Sequence, residues 1–177
     1  MSLTERELWT AVHGIVLGAI FLLAYAGGLA ELWSLRREWA TEEGIRSRLR
    51  RLTAGTWVMA IVAWLTALSG AYIVFPWYRA RPPAGVTDLA QFPRAYLAAN
   101  PSLATWNSFG MDWKEHIAWI APILATAVAY LVSRYGRSLA SDATLRRSVA
   151  VLFSIAFVAA GIAGLFGAFL NKMAPVR

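Results

Sequence analysis

Apolar residues in this chain fall into four long runs that are separated by more polar segments. The runs cover about residues 8–35, 55–75, 113–133 and 148–170. Each has about 20 residues or more, which is the length that a helix needs to cross roughly 30 Å of hydrocarbon. The pattern therefore predicts an all-α integral membrane protein with a single domain, 1–177, built from four transmembrane helices.

The polar segments between the runs predict how the helices are joined. Two links, 36–53 and 134–147, are short enough to favour antiparallel neighbours, so we expect an up-down-up-down four-helix bundle. The connection 76–112 is the longest and is rich in aromatic and apolar residues. It is therefore expected to fold back on the bundle as one or two short helices. Pro122 lies inside the third run and predicts a kink there.

The second and fourth runs resemble each other near their ends. Gly70 corresponds to Gly167 and Tyr72 to Phe169, and each half of the chain begins with a helix in which a tryptophan precedes a histidine. This similarity suggests a duplicated hairpin, which would give the bundle a pseudo-twofold axis along the membrane normal.

Composition agrees with a membrane protein and excludes several other classes. Apolar residues make up 58% of the chain and charged residues 15%, whereas about a quarter of a soluble domain is charged. The absence of cysteine excludes disulfides, thiolate metal sites and covalent haem attachment. The net charge of +7 does not indicate nucleic-acid binding, because the arginines lie beside the apolar runs, where they meet anionic lipid. Residues 1–8 lack the features of a signal peptide, so the first helix is predicted to be retained.

The distribution of basic residues predicts the orientation. The two short links hold ten arginines, and the rest of the chain holds seven basic residues. The positive-inside rule places these links in the cytoplasm and both termini, the long connection and both histidines on the outer side. The expected location is the inner (plasma) membrane of a bacterium. Glu31 and Glu115, near helix ends, are expected to snorkel to the interface or to pair with Arg36 and Lys114.

The chain has two histidines, His13 and His116, each about one turn inside an apolar run and each behind a tryptophan, Trp9 or Trp113. In the predicted bundle the first and third helices lie diagonally opposite each other. The spacing from the tryptophans places the two imidazoles at nearly the same depth. Such a pair can ligate the iron of one haem b from both faces. The alternative for either histidine alone is a hydrogen-bonded structural role, whereas the matched pair favours ligation.

Small and basic residues near the histidines fit this hypothesis. Glycines can leave room for a macrocycle or for a neighbouring helix, and the candidates are Gly14, Gly18, Gly70 and Gly167. Basic side chains can pair with haem propionates, and the candidates are Arg79, Arg81, Arg94 and Lys114. Methionines are alternative axial ligands, namely Met59, Met111 and Met173. Two ligands without a well-placed third make a poor zinc or non-haem iron site.

The arrangement of His13 and His116 in four apolar runs resembles that of small four-helix membrane cytochromes b, the haem-bearing anchors of respiratory or dehydrogenase complexes. The resemblance implies electron transfer between a quinone or quinol pool and an outer-side redox partner, by a subunit rather than by an enzyme acting alone. Those anchors often hold two haems on four histidines. Two histidines limit this chain to one bis-histidine haem.

Two other functions remain open from the sequence. One is a haem-free structural or accessory subunit that packs its small-residue faces on the membrane subunits of a larger complex. The other is a quinone-binding protein without haem, in which the same histidines donate hydrogen bonds to quinone carbonyls.

Overall fold

The computed structural model describes residues 3–36 and 40–174, and within these residues the chain is helical, with no β-strand. It contains four helices that are long and apolar enough to cross a membrane, which confirms the predicted all-α class and the four predicted spans. Their bounds are Glu5–Ser34, Glu42–Tyr78, Trp106–Ser141 and Ala143–Met173. They are called here the first, second, third and fourth long helix.

The long helices extend well beyond the predicted apolar runs. Much of the predicted link 36–53 is helical, because the second long helix begins at Glu42, where Thr41 Oγ1 accepts a hydrogen bond from the Gly44 backbone N–H at 3.2 Å. In place of the predicted link 134–147, the single residue Asp142 separates the third and fourth long helices. Its carboxylate accepts hydrogen bonds from the backbone N–H groups of Thr144 and Leu145, in the first turn of the fourth helix. The non-helical links are therefore shorter than the segments 36–53 and 134–147 that the hydropathy pattern predicted. The length of an apolar run reflects the thickness of the membrane. The helix itself can extend beyond the membrane, because Arg and Leu both have a high helix propensity.

The third long helix is interrupted at Ala118–Trp119, between the helical segments Asp112–Ile117 and Ile120–Ser141. Pro122 lies four residues after Ala118 and has no N–H to donate to the Ala118 carbonyl, which is the bond that an α-helix would make there. The predicted distortion near Pro122 is therefore present, one turn before the proline itself.

The chain divides into two compact units. One unit, called here the arginine-rich unit, comprises residues 19–64 and 120–160 and therefore contains both arginine-dense links. Its core includes Phe153 and Leu52, both almost completely buried. Gly28 lies so close to Phe153 that a Cβ at position 28 would be 2.8 Å from the ring. Tyr25 packs on the neighbouring turn of the fourth long helix, where its hydroxyl is 3.1 Å from Ser154 Oγ.

Polar contacts at the helix surface reinforce the same unit. The indole of Trp57 donates to Ser133 Oγ at 3.0 Å, and the Trp64 indole donates to Thr126 Oγ1 at the same distance. Glu31 forms an ion pair with Arg51 of the second long helix. The sequence did not suggest Arg51 as a partner of Glu31; the longer second helix brings it within reach.

The other unit, called here the histidine unit, comprises residues 1–18, 65–119 and 161–177. It includes the long connection, which contains the short helix Pro93–Ala99, as predicted. Leu97 of this helix is fully buried and clusters with Met111, Leu170 and Ala174. Because these residues come from the connection and from the third and fourth long helices, the connection is packed rather than free, and the histidine unit has its own small core.

Candidate functional site

His13 lies in a π-helical turn, Val12–Val16, within the first long helix. Its Nδ1 is 3.1 Å from Ser69 Oγ, and the Ser69 hydroxyl donates to the Thr66 carbonyl at 3.2 Å. A neutral imidazole can either donate to this hydroxyl through Nδ1–H or accept from it at Nδ1, depending on its tautomer. The His13 ring also forms a hydrogen bond with the Thr66 backbone.

Gly70 permits the close approach of His13 to the second long helix. A Cβ at position 70 would lie 2.7 Å from His13 Cε1 and 3.3 Å from Nε2, so any larger residue would force the ring to move. The prediction that Gly70 leaves room for a porphyrin edge is therefore incomplete, because the His13 ring occupies this room. A second π-helical turn, Gly70–Val74, begins at this contact.

Lys114 and Gly167 bring the third and fourth long helices into the same unit. A Cβ at position 167 would lie 3.3 Å from Lys114 Cε, so the space beside Gly167 is taken by the lysine stem. The positive charge of Lys114 acts on the His13 imidazole. Lys114 was predicted as a charge partner for propionates. In the structure it lies close enough to His13 for its charge to act on the imidazole.

His116 is exposed and lies in the last turn of the segment Asp112–Ile117. Its Nδ1 is 2.6 Å from the Asp112 backbone carbonyl. A carbonyl can only accept, so Nδ1 carries the proton and Nε2 keeps its lone pair. Among the described residues no hydrogen bond or close contact joins His116 to His13. Four predicted site residues, His13, Gly70, Lys114 and Gly167, are thus brought together, whereas the side chain of His116 is exposed.

The remaining predicted site residues lie at the surface of the histidine unit. Gly14 is exposed and Gly18 half-buried, and no described residue comes within 4 Å of a Cβ built at either position. This leaves the first long helix open beside His13 to a ligand or a partner helix. Arg79 stacks on the Phe75 ring at 5.4 Å, and Arg81 is exposed in the long connection.

The sequence reasoning missed the π-helical turns. A third one, Trp106–Met111, leads directly into the segment that carries Lys114 and His116. A π turn inserts an extra residue into a helix at some energetic cost and occurs often at functional sites. All three of these turns belong to the histidine unit, next to the residues that the sequence had singled out.

Within residues 3–36 and 40–174, no group of three or more His, Asp or Glu side chains could hold a metal ion. In comparisons with protein-family models, with curated proteins and with solved structures, none matches this chain.

We expect a Gly70→Ala variant to be less stable than the parent protein by about 1–3 kcal/mol, the usual cost of overpacking a tight contact. The added methyl group would displace the His13 ring and break its hydrogen bond to Ser69. The measurement is unfolding in detergent, by heat or by added SDS. Gly55→Ala is the matched control, because it lies on the same helix with nothing described within 4 Å of its Cβ position. There the change is expected to stabilise the helix slightly. Equal stability of the two variants would contradict this account of Gly70.

Proposed function

We propose that the protein is a membrane-anchored cytochrome b subunit that holds one haem b with His13 and His116 as axial ligands. The observation that carries the proposal is the state of the two imidazoles. In both, Nδ1 lies within hydrogen-bonding distance of an oxygen atom, Ser69 Oγ in one case and the Asp112 backbone carbonyl in the other. Metal-ligating histidines typically donate their second ring N–H in this way, which fixes the tautomer and the ring orientation.

The surroundings of His13 support the same proposal. The open face at Gly14 and Gly18 leaves space next to the imidazole for a flat ligand. Lys114 supplies a positive charge for a propionate, and the proposal includes Arg79 and Arg81 as further partners. The space at Gly70 and Gly167 is already filled by His13 and Lys114. A macrocycle would accordingly be held at the open face of the first helix and not between those glycines.

The proposed arrangement is an up-down-up-down bundle with both termini, the long connection and both histidines on the outer side of a bacterial inner membrane. The starts of the first and third long helices and the ends of the second and fourth belong to one compact unit, which supports alternating helix directions. The ten arginines of the two predicted links support a cytoplasmic position for those links.

When bound at two histidines, haem b accepts and returns single electrons. The proposed partners are a quinone or quinol pool and an outer-side redox subunit. The chain's own part would be to ligate the iron, to orient the two imidazoles through Ser69 and Asp112, and to compensate the propionate charge.

A haem-free accessory subunit is the second candidate, and a specific observation favours it. Several glycines have no described residue within 4 Å of a Cβ built on them. They include Gly14 and Gly18 of the first long helix and Gly161 and Gly164 of the fourth. Small residues on an open face allow close packing of a helix from another membrane subunit. In this reading His13 is a structural residue whose hydrogen bond to Ser69 holds the first two helices together.

The deciding experiment is an absorbance spectrum of protein purified from cells that have ample haem. The haem proposal predicts a b-type reduced-minus-oxidised spectrum and a pyridine haemochrome content of about one haem per chain, since two histidines can ligate one iron. A colourless, folded protein would refute the proposal and favour the accessory subunit.

A further inference from the structure

A cavity of about 560 Å³ lies between the second and third long helices, within the arginine-rich unit. Four arginines line it: Arg46, Arg50, Arg134 and Arg137. Binding sites for small molecules typically have volumes of about 300 to 1,000 Å³, so this cavity is large enough for a ligand. It shares no residue with the histidine site.

The local packing of the two helices forms the cavity and keeps it in place. Gly136 lets the helices come close, since a Cβ at that position would be 3.1 Å from Leu49 Cδ2. One turn away, the Trp57 indole donates to Ser133 Oγ and ties the same two helices together.

Helical spacing directs the four arginines to one place. Arg46 and Arg50 are four residues apart on the second long helix, and Arg134 and Arg137 are three apart on the third. Residues at these spacings share a helix face. Two pairs of arginines on facing helices therefore line the same cavity.

The four arginine side chains are exposed and carry positive charge. In the part of the chain that the structure describes, none of them forms a hydrogen bond or an ion pair; Arg134 lies over the Tyr135 ring. Other arginines of the same unit are engaged, Arg51 with Glu31 and Arg146 with the Leu139 carbonyl. Four converging arginines without a carboxylate indicate an anionic ligand, and the planar guanidinium fork matches a phosphate in particular.

The walls change from charged to apolar along the cavity. Ala54 and Val132 also line it, and they lie at the edges of the apolar segments of their helices. An amphipathic ligand with phosphate at one end and hydrocarbon at the other matches this gradient. We propose that the cavity binds the phosphodiester headgroup of an anionic phospholipid, with the glycerol and acyl chains directed toward Ala54 and Val132. Basic pockets between transmembrane helices are known to take such headgroups.

The test measures binding of dioleoyl phosphatidylglycerol to the full chain in detergent, by native mass spectrometry, with dioleoyl phosphatidylcholine for comparison. We expect preferential retention of phosphatidylglycerol. Arg137→Gln should weaken this binding about fivefold, and Arg50→Gln combined with Arg137→Gln should weaken it by about the square of that factor. The matched control is Arg147→Gln, which removes the same charge from an exposed position that does not line the cavity. It should bind lipid as the parent chain does.

A second variant distinguishes a binding site of defined shape from nonspecific electrostatic attraction between the lipid and the arginines. Ala54→Phe fills the apolar end of the cavity without changing the net charge, and it should also weaken phosphatidylglycerol binding. Binding that falls equally in Arg137→Gln and Arg147→Gln, or that is unchanged in Ala54→Phe, would overturn the proposal. Inorganic phosphate at millimolar concentration should not displace the lipid, because it lacks the acyl part. Displacement by phosphate would identify a soluble anion as the ligand instead. Unfolding temperatures of all variants, measured without lipid, should match the parent and exclude misfolding as the cause.

Discussion

A His13→Gln variant is expected to purify without the b-type absorbance of the parent protein. Glutamine can still hydrogen-bond to Ser69 across the contact that the structure shows at 3.1 Å, but it has no imidazole nitrogen to ligate iron. The loss of haem should therefore be nearly complete, while the unfolding temperature of the haem-free chain should change little. The measurements are the pyridine haemochrome content and unfolding in detergent, each compared with haem-depleted parent protein.

His116 allows a sharper version of the same test because its side chain is exposed. A His116→Gly variant is expected to lose the low-spin b-type spectrum, and added imidazole should restore it by entering the vacated position. Restoration would assign His116 as an axial ligand. If His116 had only a structural role, added imidazole would not restore the iron spectrum. Failure of both histidine variants to alter the spectrum would contradict bis-histidine ligation.

Met111→Leu serves as the control for alternative ligation. Met111 is buried in the core of the histidine unit, and leucine keeps its approximate volume. The spectrum of this variant should equal that of the parent. A shift on replacing Met111, with the histidine variants unaffected, would make a methionine the ligand.

The sequence predicts the existence of the helices much better than their ends. Four apolar runs are a strong signal for helices. A segment in lipid must satisfy its backbone hydrogen bonds internally, and an α-helix does so. The ends were misplaced because hydropathy falls at the membrane surface, whereas the helix continues until a cap or a breaker. Thr41 and Asp142 are such caps, of the residue types that favour helix N-termini, and both could have been recognised in the sequence.

The site was predictable in part. The position of His13 near the start of a helix suggested a special role, and the structure gives it a specific partner in Ser69. That Gly70 accommodates the His13 ring could not be predicted, because it depends on how two helices are rotated toward each other. The π-helical turns were also unpredictable, since the insertion of one extra residue in a turn leaves no compositional signature.

The Phe153→Ala change is expected to be the most destabilising substitution in the arginine-rich unit. Phe153 is 1% exposed, and its ring lies against Gly28 and 5.0 Å from the ring of Tyr25. Gly28 has no side chain that could move into the space, so alanine leaves a cavity between the first and fourth long helices. Burial and cavity losses for such a change are typically about 3–5 kcal/mol.

Reversible unfolding in mixed micelles, followed by circular dichroism, measures this cost. Phe169→Ala is the matched control, because it makes the same substitution on the same helix at a side chain that is 44% exposed. Its ring lies 5.5 Å from the ring of Trp106, centroid to centroid. Losing this contact should lower the free energy of unfolding by at most about 1.5 kcal/mol. A Phe153 variant no less stable than the Phe169 variant would mean that the close approach at Gly28 is not maintained in the folded protein. The first and fourth helices would then have to be held by contacts other than Tyr25 and Phe153.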